Sequence, residues 1–450
     1  MLLVSLSTAK AAASFSDLVA ASALLAEADS GTLLFNHNMD ARRPADALTK
    51  IMTLLLVVTA CEKGDADPRD LIEMTDTAWL DINANSTTLG ISPGESMMLL
   101  DLMYCAFMGG ANEACNMIAE HIAGSIAVFV ENMNTRAVEL GCANTNYVNT
   151  HGQYHDRQYT TAQDQFLVFR EAMNHPLFAE ITGEYRYTTG ITNMSEPRNL
   201  VSPNSLLNTS GKYYFSSCTA GAFSATYEGG YSIVAFAAAD ELSLISVVLG
   251  SDIIILEDES TQMRNLTESR RLLEWGFAEF GWRTVLSTSD FVARASVLNG
   301  AGADFVNLRP ETEIRLILGN DVPLEQFVRT VTIYSEASDE PLMAPISAGD
   351  ILGEVTLTYN GIKYGPILLL AKTDVGLNRL VYIKTQIADM LATRTARIII
   401  WILVVLVLLY VSLVIRYNVI RRRRLRRIKE AKRRLIAERQ GLDEDEDQYE

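Results

Sequence analysis

Residues Asp29–Thr53 read DSGTLLFNHNMDARRPADALTKIMT. An apolar, strand-like run follows the Asp-Ser-Gly turn, and the run IMTLLLVV after Lys50 predicts a buried helix. A lysine at such a position can serve as a base for a side chain one helical turn earlier. The residue three positions earlier is Ala47, which has no nucleophilic atom. The stretch is therefore either the remnant of an active site or a helix start that resembles one.

The surrounding residues, 15–286, mix strand and helix patterns. ASALLAEADSGTLLFNHN predicts two short strands around a turn, and residues 50–130 are largely helical in pattern. Further strands are predicted at GGYSIVAFAAA and LSLISVVLG, followed by a helix in ESTQMRNLTESRRLLEWGFAEFGW. Strand-rich ends around a helical middle predict an α/β (α+β) domain whose sheet is built from distant segments.

The pattern changes at residues 287–378. Short alternating runs such as TEIRLIL, RTVTIYSE and GEVTLTYN are separated by Gly, Pro and Asp turns. This texture predicts an all-β module. Residues 379–397 then predict a juxtamembrane helix.

The segment 398–415, IIIWILVVLVLLYVSLVI, contains 18 residues without a charge. This length is about enough to cross a bilayer core of roughly 30 Å, so the segment predicts a single transmembrane helix in a cell membrane. The tail that follows, residues 416–450, is basic and then acidic. Because an excess of Lys and Arg beside a span marks the cytoplasmic side, we expect the tail in the cytoplasm and the bulk of the chain outside it.

The charge balance excludes one class of partner. The formal net charge is −17, and the tail holds 12 Lys/Arg and 8 Asp/Glu, so about −21 falls on the rest. An acidic outer part argues against a nucleic-acid partner. Residues 1–14 resemble the second half of a signal peptide, which leaves open a start further upstream. The odd number of five cysteines gives no disulfide framework, so we expect buried free thiols.

Four segments together resemble one family. DSGTLLFNHNMDARRPADALTKIMT, GANEACNMIAEHIAGSIAVFVENMNTRAVELG, TNYVNTHGQYHDRQYTTAQD and LMAPISAGDILGEVTL follow the order of the D-alanyl-D-alanine carboxypeptidases, the low-molecular-weight penicillin-binding proteins of peptidase S11 type. The resemblance implies a penicillin-binding, β-lactamase-like transpeptidase fold with a helical subdomain and a C-terminal β module. It also implies a bacterial chain of peptidoglycan and cell-wall metabolism, with no cofactor and no metal.

The same resemblance implies a serine peptidase that uses a lysine base. In the Ser-x-x-Lys motif the general base is kept as Lys50, but the nucleophile position is Ala47. In the Ser-x-Asn motif Gly110 stands at the Ser position, and Asn112 is kept.

The Lys-Thr-Gly motif, which in the family binds the terminal carboxylate of the substrate, is replaced throughout. Aligned without a gap, Ala222, Phe223 and Ser224 stand at its three positions, and Phe223 could fill part of the vacated slot. With three motifs degraded, the resemblance predicts a pseudoenzyme that binds peptidoglycan stem peptides or cell-wall enzymes.

Other residues offer weaker candidates. Ser7 and Lys10 match Ser-x-x-Lys by letter within the leader. Asp46 is expected to cap the following helix or to pair with Lys50 and hold it charged. His151 and His155, with Asp156, suggest a metal site, although Gly152 interrupts the helical spacing.

Two alternatives to the pseudoenzyme remain open. The chain could be a D,D-carboxypeptidase or other hydrolase with an unusual nucleophile such as Ser224. It could instead be a membrane interaction protein that acts through its cytoplasmic tail.

Overall fold

A computed structural model describes residues 15–84, 86–255 and 261–446, with side chains as far as Ile436. The chain divides into two compact units. The first runs to Val285 and also contains Ile314–Gln326, and the second comprises Leu286–Glu313 together with the chain from Phe327 onward.

The first unit contains fifteen named strands and seven α-helices among the described residues. The strands are β1 (Ser22–Glu27), β2 (Leu33–His37), β3 (Arg43–Pro44), β4 (Leu71–Glu73), β5 (Ser96–Met98), β6 (Tyr159–Thr160), β7 (Arg186–Thr188), β8 (Asn199–Val201), β9 (Cys218–Thr226), β10 (Gly230–Ala239), β11 (Leu242–Ser251), β12 (Ile253–Ile255), β13 (Thr261–Met263), β14 (Phe280–Leu286) and β18 (Ile314–Gly319). The helices are α1 (Thr49–Lys63), α2 (Leu99–Phe107), α3 (Asn112–Ala123), α4 (Ile126–Glu139), α5 (Ala162–Ala172), α6 (Pro176–Gly183) and α7 (Arg264–Glu279).

The centre of this unit is a five-stranded antiparallel sheet in the order β2-β1-β11-β10-β9. The sequence of strand β1 is almost wholly apolar because both faces of the strand are covered. Leu24 and Ala26 belong to the apolar cluster on the side of α1–α6, whereas Ala23 and Leu25 belong to a second cluster that includes residues of α7. Because successive side chains point to opposite faces, a strand covered on both faces has no polar side.

These elements confirm the mixed fold predicted from the sequence. Both strands around the Asp-Ser-Gly turn form, as do the strands predicted at GGYSIVAFAAA and LSLISVVLG and the helix after them. The 310 helix Asp46–Leu48 leads directly into α1, so the sequence that opened the analysis lies at a helix start.

The second unit is built on a five-stranded sheet in the order β15-β17-β21-β20-β19. Its elements are β15 (Ala293–Ser296), β16 (Gly300–Ala301), β17 (Phe305–Pro310), β19 (Val328–Ile333), the short helix α8 (Tyr334–Ala337), β20 (Ile351–Tyr359), β21 (Ile362–Ala371), β22 (Gly376–Leu377), α9 (Arg379–Ala392) and α10 (Arg394–Glu446). The sequence predicts the TEIRLIL run as part of the all-β module. In the structure this run forms β18, which pairs with β14 and belongs to the first unit.

The apolar segment 398–415 lies within α10, and its side chains are exposed. The helix is long and apolar enough to cross a membrane, with a mean hydropathy of 3.3 over the best window, and is therefore a candidate membrane anchor. The leader, with Ser7 and Lys10, and the last residues of the acidic terminus lie outside the part of the chain that the structure describes.

Candidate functional site

Two adjoining cavities of about 550 and 230 Å³ lie in the first unit. They share four lining residues, Ala47, Lys50, Thr87 and Ala225, and we call the two cavities together the cleft. The larger cavity is also lined by Asn112, His151, Gly152, Gln153, Tyr154, Thr226, Tyr227 and Glu228. The smaller is also lined by Phe107, Met108, Gly109, Gly110, Ser202, Pro203, Gly221, Ala222, Phe223 and Ser224. The structure thus brings all seven predicted site residues to one cleft.

Ala47 lines both cavities of this cleft. Its backbone N–H donates a 3.2 Å hydrogen bond to the hydroxyl of Ser224, which is buried on β9. In serine hydrolases the backbone N–H at the nucleophile position is a usual donor to the oxyanion of the reaction intermediate. Here a hydroxyl of the chain itself takes that donor. Sequence reasoning missed this contact because the two residues are 177 positions apart.

Lys50 is buried in α1 and has two oxygen partners. Its Nζ donates to Asn112 Oδ1 at 2.9 Å and to the backbone oxygen of His151 at 2.6 Å. Burial lowers the pKa of the Lys50 ammonium, although Cys115 and Glu113 oppose that shift. The expected pairing with Asp46 is therefore wrong, since neutral acceptors hold the amine and burial favours its uncharged form.

Asp46 does not cap the helix. It lies inside the 310 helix with a φ of +44°, and neither that helix nor α1 has a side-chain cap. Its carboxyl is buried, and Oδ1 has no hydrogen-bond partner among the described residues. Burial raises the pKa of Asp46 to about 6, opposed by the hydroxyl of Thr226 and reinforced by Glu228. The capping prediction fails because the side chain points away from the free helix N–H groups, toward the β9–β10 turn.

Two glycines make room for Asp46. A Cβ at Gly152 would lie 1.8 Å from the Asp46 backbone oxygen, and one at Gly229 would lie 1.6 Å from Asp46 Oδ2. Any side chain at either position would collide with Asp46. Gly152 was considered only as an interruption of helical spacing, so this packing role was missed.

The second degraded motif lies at the start of α3. Asn112 is buried at the first position of the helix, where its side chain holds Lys50. Gly110 has a φ of +69°, and a Cβ there would lie 3.1 Å from Thr87 Cγ2. The backbone at this position is therefore suited to glycine, and a serine would be strained.

The third degraded motif lies on β9, where alternate residues face opposite sides. Ala222 is paired with Val234 of the first apolar cluster, and both Ala222 and Ser224 line the smaller cavity. The ring of Phe223 packs against the second cluster, with Tyr231 6.5 Å away between ring centroids. Phe223 also lines the smaller cavity, so its filling part of the vacated slot stays a prediction.

The two histidines of the suspected metal site have different surroundings. His151 is buried in the cleft, and its Nδ1 accepts a 3.1 Å hydrogen bond from the Gln153 N–H. Burial lowers the pKa of His151 to about 3, with a further contribution from Lys50. His155 lies near the exposed Asp156. In the part of the chain that is described, no three His, Cys, Asp or Glu side chains form a group suited to a metal.

All five cysteines are free, and four of them are buried, while Cys61 is half-buried. In the cleft, a buried lysine whose pKa is lowered by burial lies beside the methyl group of Ala47. A side chain at position 47 without an oxygen cannot form an ester with a ligand carbonyl.

Comparisons with known proteins agree with this geometry. Residues 7–253 match the model of the peptidase S11 family, D-alanyl-D-alanine carboxypeptidase. The D-alanyl-D-alanine carboxypeptidase DacF of Bacillus subtilis (strain 168) is 25% identical over 356 residues, covering 79% of this chain and 86% of that protein. DacC of Escherichia coli (strain K12) is 27% identical over 363 residues, covering 78% and 84%.

A solved structure has the same fold. Penicillin binding protein 5 from Haemophilus influenzae matches with a TM-score of 0.58 and 25% identity, covering 80% of this chain and 98% of that one. The similarity therefore extends beyond the residues matched by the family model.

Proposed function

Because the chain belongs to the D-alanyl-D-alanine carboxypeptidase family, we propose that it is a catalytically inactive, membrane-anchored member of that family. In this proposal the cleft binds peptidoglycan stem peptides, or the first unit holds a cell-wall enzyme, outside the cytoplasm. The retained fold supplies the binding surface, and the missing groups remove the reaction.

The observation that carries the proposal is the state of the nucleophile position. Ala47 places a methyl group beside Lys50, and its N–H is already bonded to Ser224. A ligand carbonyl would therefore meet no attacking oxygen at this position, and it would have to displace the Ser224 hydroxyl to reach the N–H.

The other losses point the same way. Catalytic groups that act as a unit are strongly non-additive, and the loss of one costs on the order of a millionfold in rate. Later losses then cost little activity, so several motifs can change once the nucleophile is gone. Gly110 and Ala222, at the second and third motifs, fit that pattern.

Membrane anchoring rests on α10. The uncharged segment 398–415 is followed by RYNVIRRRRLRRIKEAKRR, and this excess of basic residues favours a cytoplasmic tail. The first unit would then lie on the side of the membrane where the cell wall is built.

The direct test is intact-mass spectrometry of the full-length chain after incubation with a β-lactam, beside an Ala47→Ser variant. We expect no adduct on the parent chain. An adduct of one drug mass on the parent would reveal a working nucleophile and refute inactivity. A parallel binding measurement uses muropeptides and wall-synthesis enzymes. If the parent chain bound none of them, the proposed binding role would be refuted.

Ser224 is the residue that favours the alternative of a working hydrolase, because its hydroxyl lies in the cleft beside Ala47. Within the described chain its only side-chain hydrogen bond is with the Ala47 N–H, and no base is bonded to it. Release of D-Ala from a pentapeptide by the parent chain, lost in Ser224→Ala, would establish this alternative.

A further inference from the structure

We propose that the cleft selects peptide ends that carry a neutral carboxamide and discriminates against a free terminal carboxylate. This inference rests on the proposed binding function and narrows its ligands, at the same site, to stem peptides whose end carries no free carboxylate. It follows from the charges and donors that line the two cavities.

The first step concerns cations. Among the described residues that line the cleft, Lys50 is the one Lys or Arg side chain. Its Nζ already donates to Asn112 and to the His151 backbone oxygen, and burial favours the uncharged amine. A ligand carboxylate entering the cleft would therefore lose water without gaining a counter-charge, which is unfavourable.

The second step concerns anions. Glu228 lines the larger cavity, and the buried Asp46 lies next to that same turn. A carboxylate ligand would meet acidic side chains, whereas a carboxamide carries no charge for them to repel.

The third step concerns neutral hydrogen bonding. The Gln153 N–H donates to Nδ1 of His151, which places the proton of the neutral imidazole on Nε2. That Nε2 is buried and has no partner among the described residues. Because this atom has no exposed surface, a ligand would find its neutral partners in the side chains of Thr87, Gln153 and Thr226, which line the larger cavity. Their oxygens can accept from the N–H groups of a carboxamide, which a carboxylate lacks.

The test compares two ligands that differ only at the end. Diacetyl-Lys-D-Ala-D-Ala would be titrated as the free acid and as the carboxamide into the full-length chain in detergent, by calorimetry at neutral pH. We expect the carboxamide to bind at least about tenfold more tightly, the usual scale for an uncompensated charge in a site.

Two variants sharpen the test. Ala222→Lys adds a cation at the smaller cavity and should shift the preference toward the acid, whereas Ala222→Met adds length without charge and should not. Glu228→Gln, at an exposed position, should improve binding of the acid relative to that of the carboxamide. This second variant keeps the test informative if a lysine at the buried Ala222 position prevents folding.

The possible failures are distinguishable. Equal binding of the two peptides, or tighter binding of the acid, would overturn the selectivity while leaving the proposed binding function in place. Binding of neither peptide would overturn the selectivity together with the role in holding stem peptides.

Discussion

The hydroxyl of Ser224 accepts a 3.2 Å hydrogen bond from the backbone N–H of Ala47, although the two residues belong to a strand and a 310 helix far apart in sequence. Because Ser224 is buried, water competes little for its hydroxyl. The motif alignment predicts a glycine of the family at the position of Ser224 and its nucleophile at the position of Ala47. If that alignment holds, the two changes meet in this one hydrogen bond.

Restoring the nucleophile alone should therefore give a poor enzyme. Ala47→Ser should be acylated slowly by a β-lactam, and Ala47→Ser/Ser224→Ala should react about a hundredfold faster, because the second change frees an N–H donor of oxyanion type. The measurement is the rate of adduct formation by intact mass. Ser224→Ala alone is the control and should stay unlabelled, and equal rates for the single and double variants would contradict the blocking role of Ser224.

Asp46 should make stability depend on pH. Its folded-state pKa of about 6 lies above the ordinary 3.8, so the folded chain holds the proton more tightly. The stability from this group is fully present below pH 3.8 and is lost as pH rises through 6, by about 3 kcal/mol at most.

Asp46→Asn keeps the shape and removes that titration. Asparagine also tolerates the positive φ at this position. Unfolding followed from pH 4 to pH 8 should show the variant gaining stability relative to the parent as pH rises. A constant difference across that range would show that Asp46 does not titrate there.

Gly110→Ser should restore the second motif by letter and destabilise the fold. The φ of +69° and the 3.1 Å approach to Thr87 together should cost about 1–2 kcal/mol. Gly124→Ser is a matched control, since its φ is +73° and a Cβ there has nothing within 4 Å. Denaturant unfolding should show the larger loss at Gly110, and Thr87→Ala should recover the difference. Equal losses at both glycines would mean that Thr87 gives way freely.

The anchor predicts where each end of the chain lies. The full-length chain should sediment with membranes after alkaline extraction, and a chain that stops before α10 should not.

Orientation is tested with an epitope on the C-terminus. Protease added outside intact spheroplasts should digest the first unit and spare the tagged tail, because the basic flank favours a cytoplasmic tail. Loss of the tag in intact spheroplasts would reverse the orientation, and an unchanged phenotype after deletion of residues 416–450 would exclude a function that depends on the tail.

The sequence by itself determined the features that depend on near neighbours. Strand alternation, the helix after Lys50 and the apolar segment 398–415 all follow from residues within a few turns of one another. The arrangement of strand-rich ends around a helical middle predicted the sheet of distant strands, and the family resemblance added Asn112 and Ala222 as site positions.

Only the tertiary structure decided what each site residue contacts. The Ser224 hydroxyl on the Ala47 N–H, the two acceptors of Lys50 and the glycines around Asp46 join segments that are remote along the chain. The Asp46 prediction failed for the same reason. Local pattern favours a helix cap, but the positive φ turns the carboxyl toward the β9–β10 turn, and burial there rather than helix geometry sets its charge.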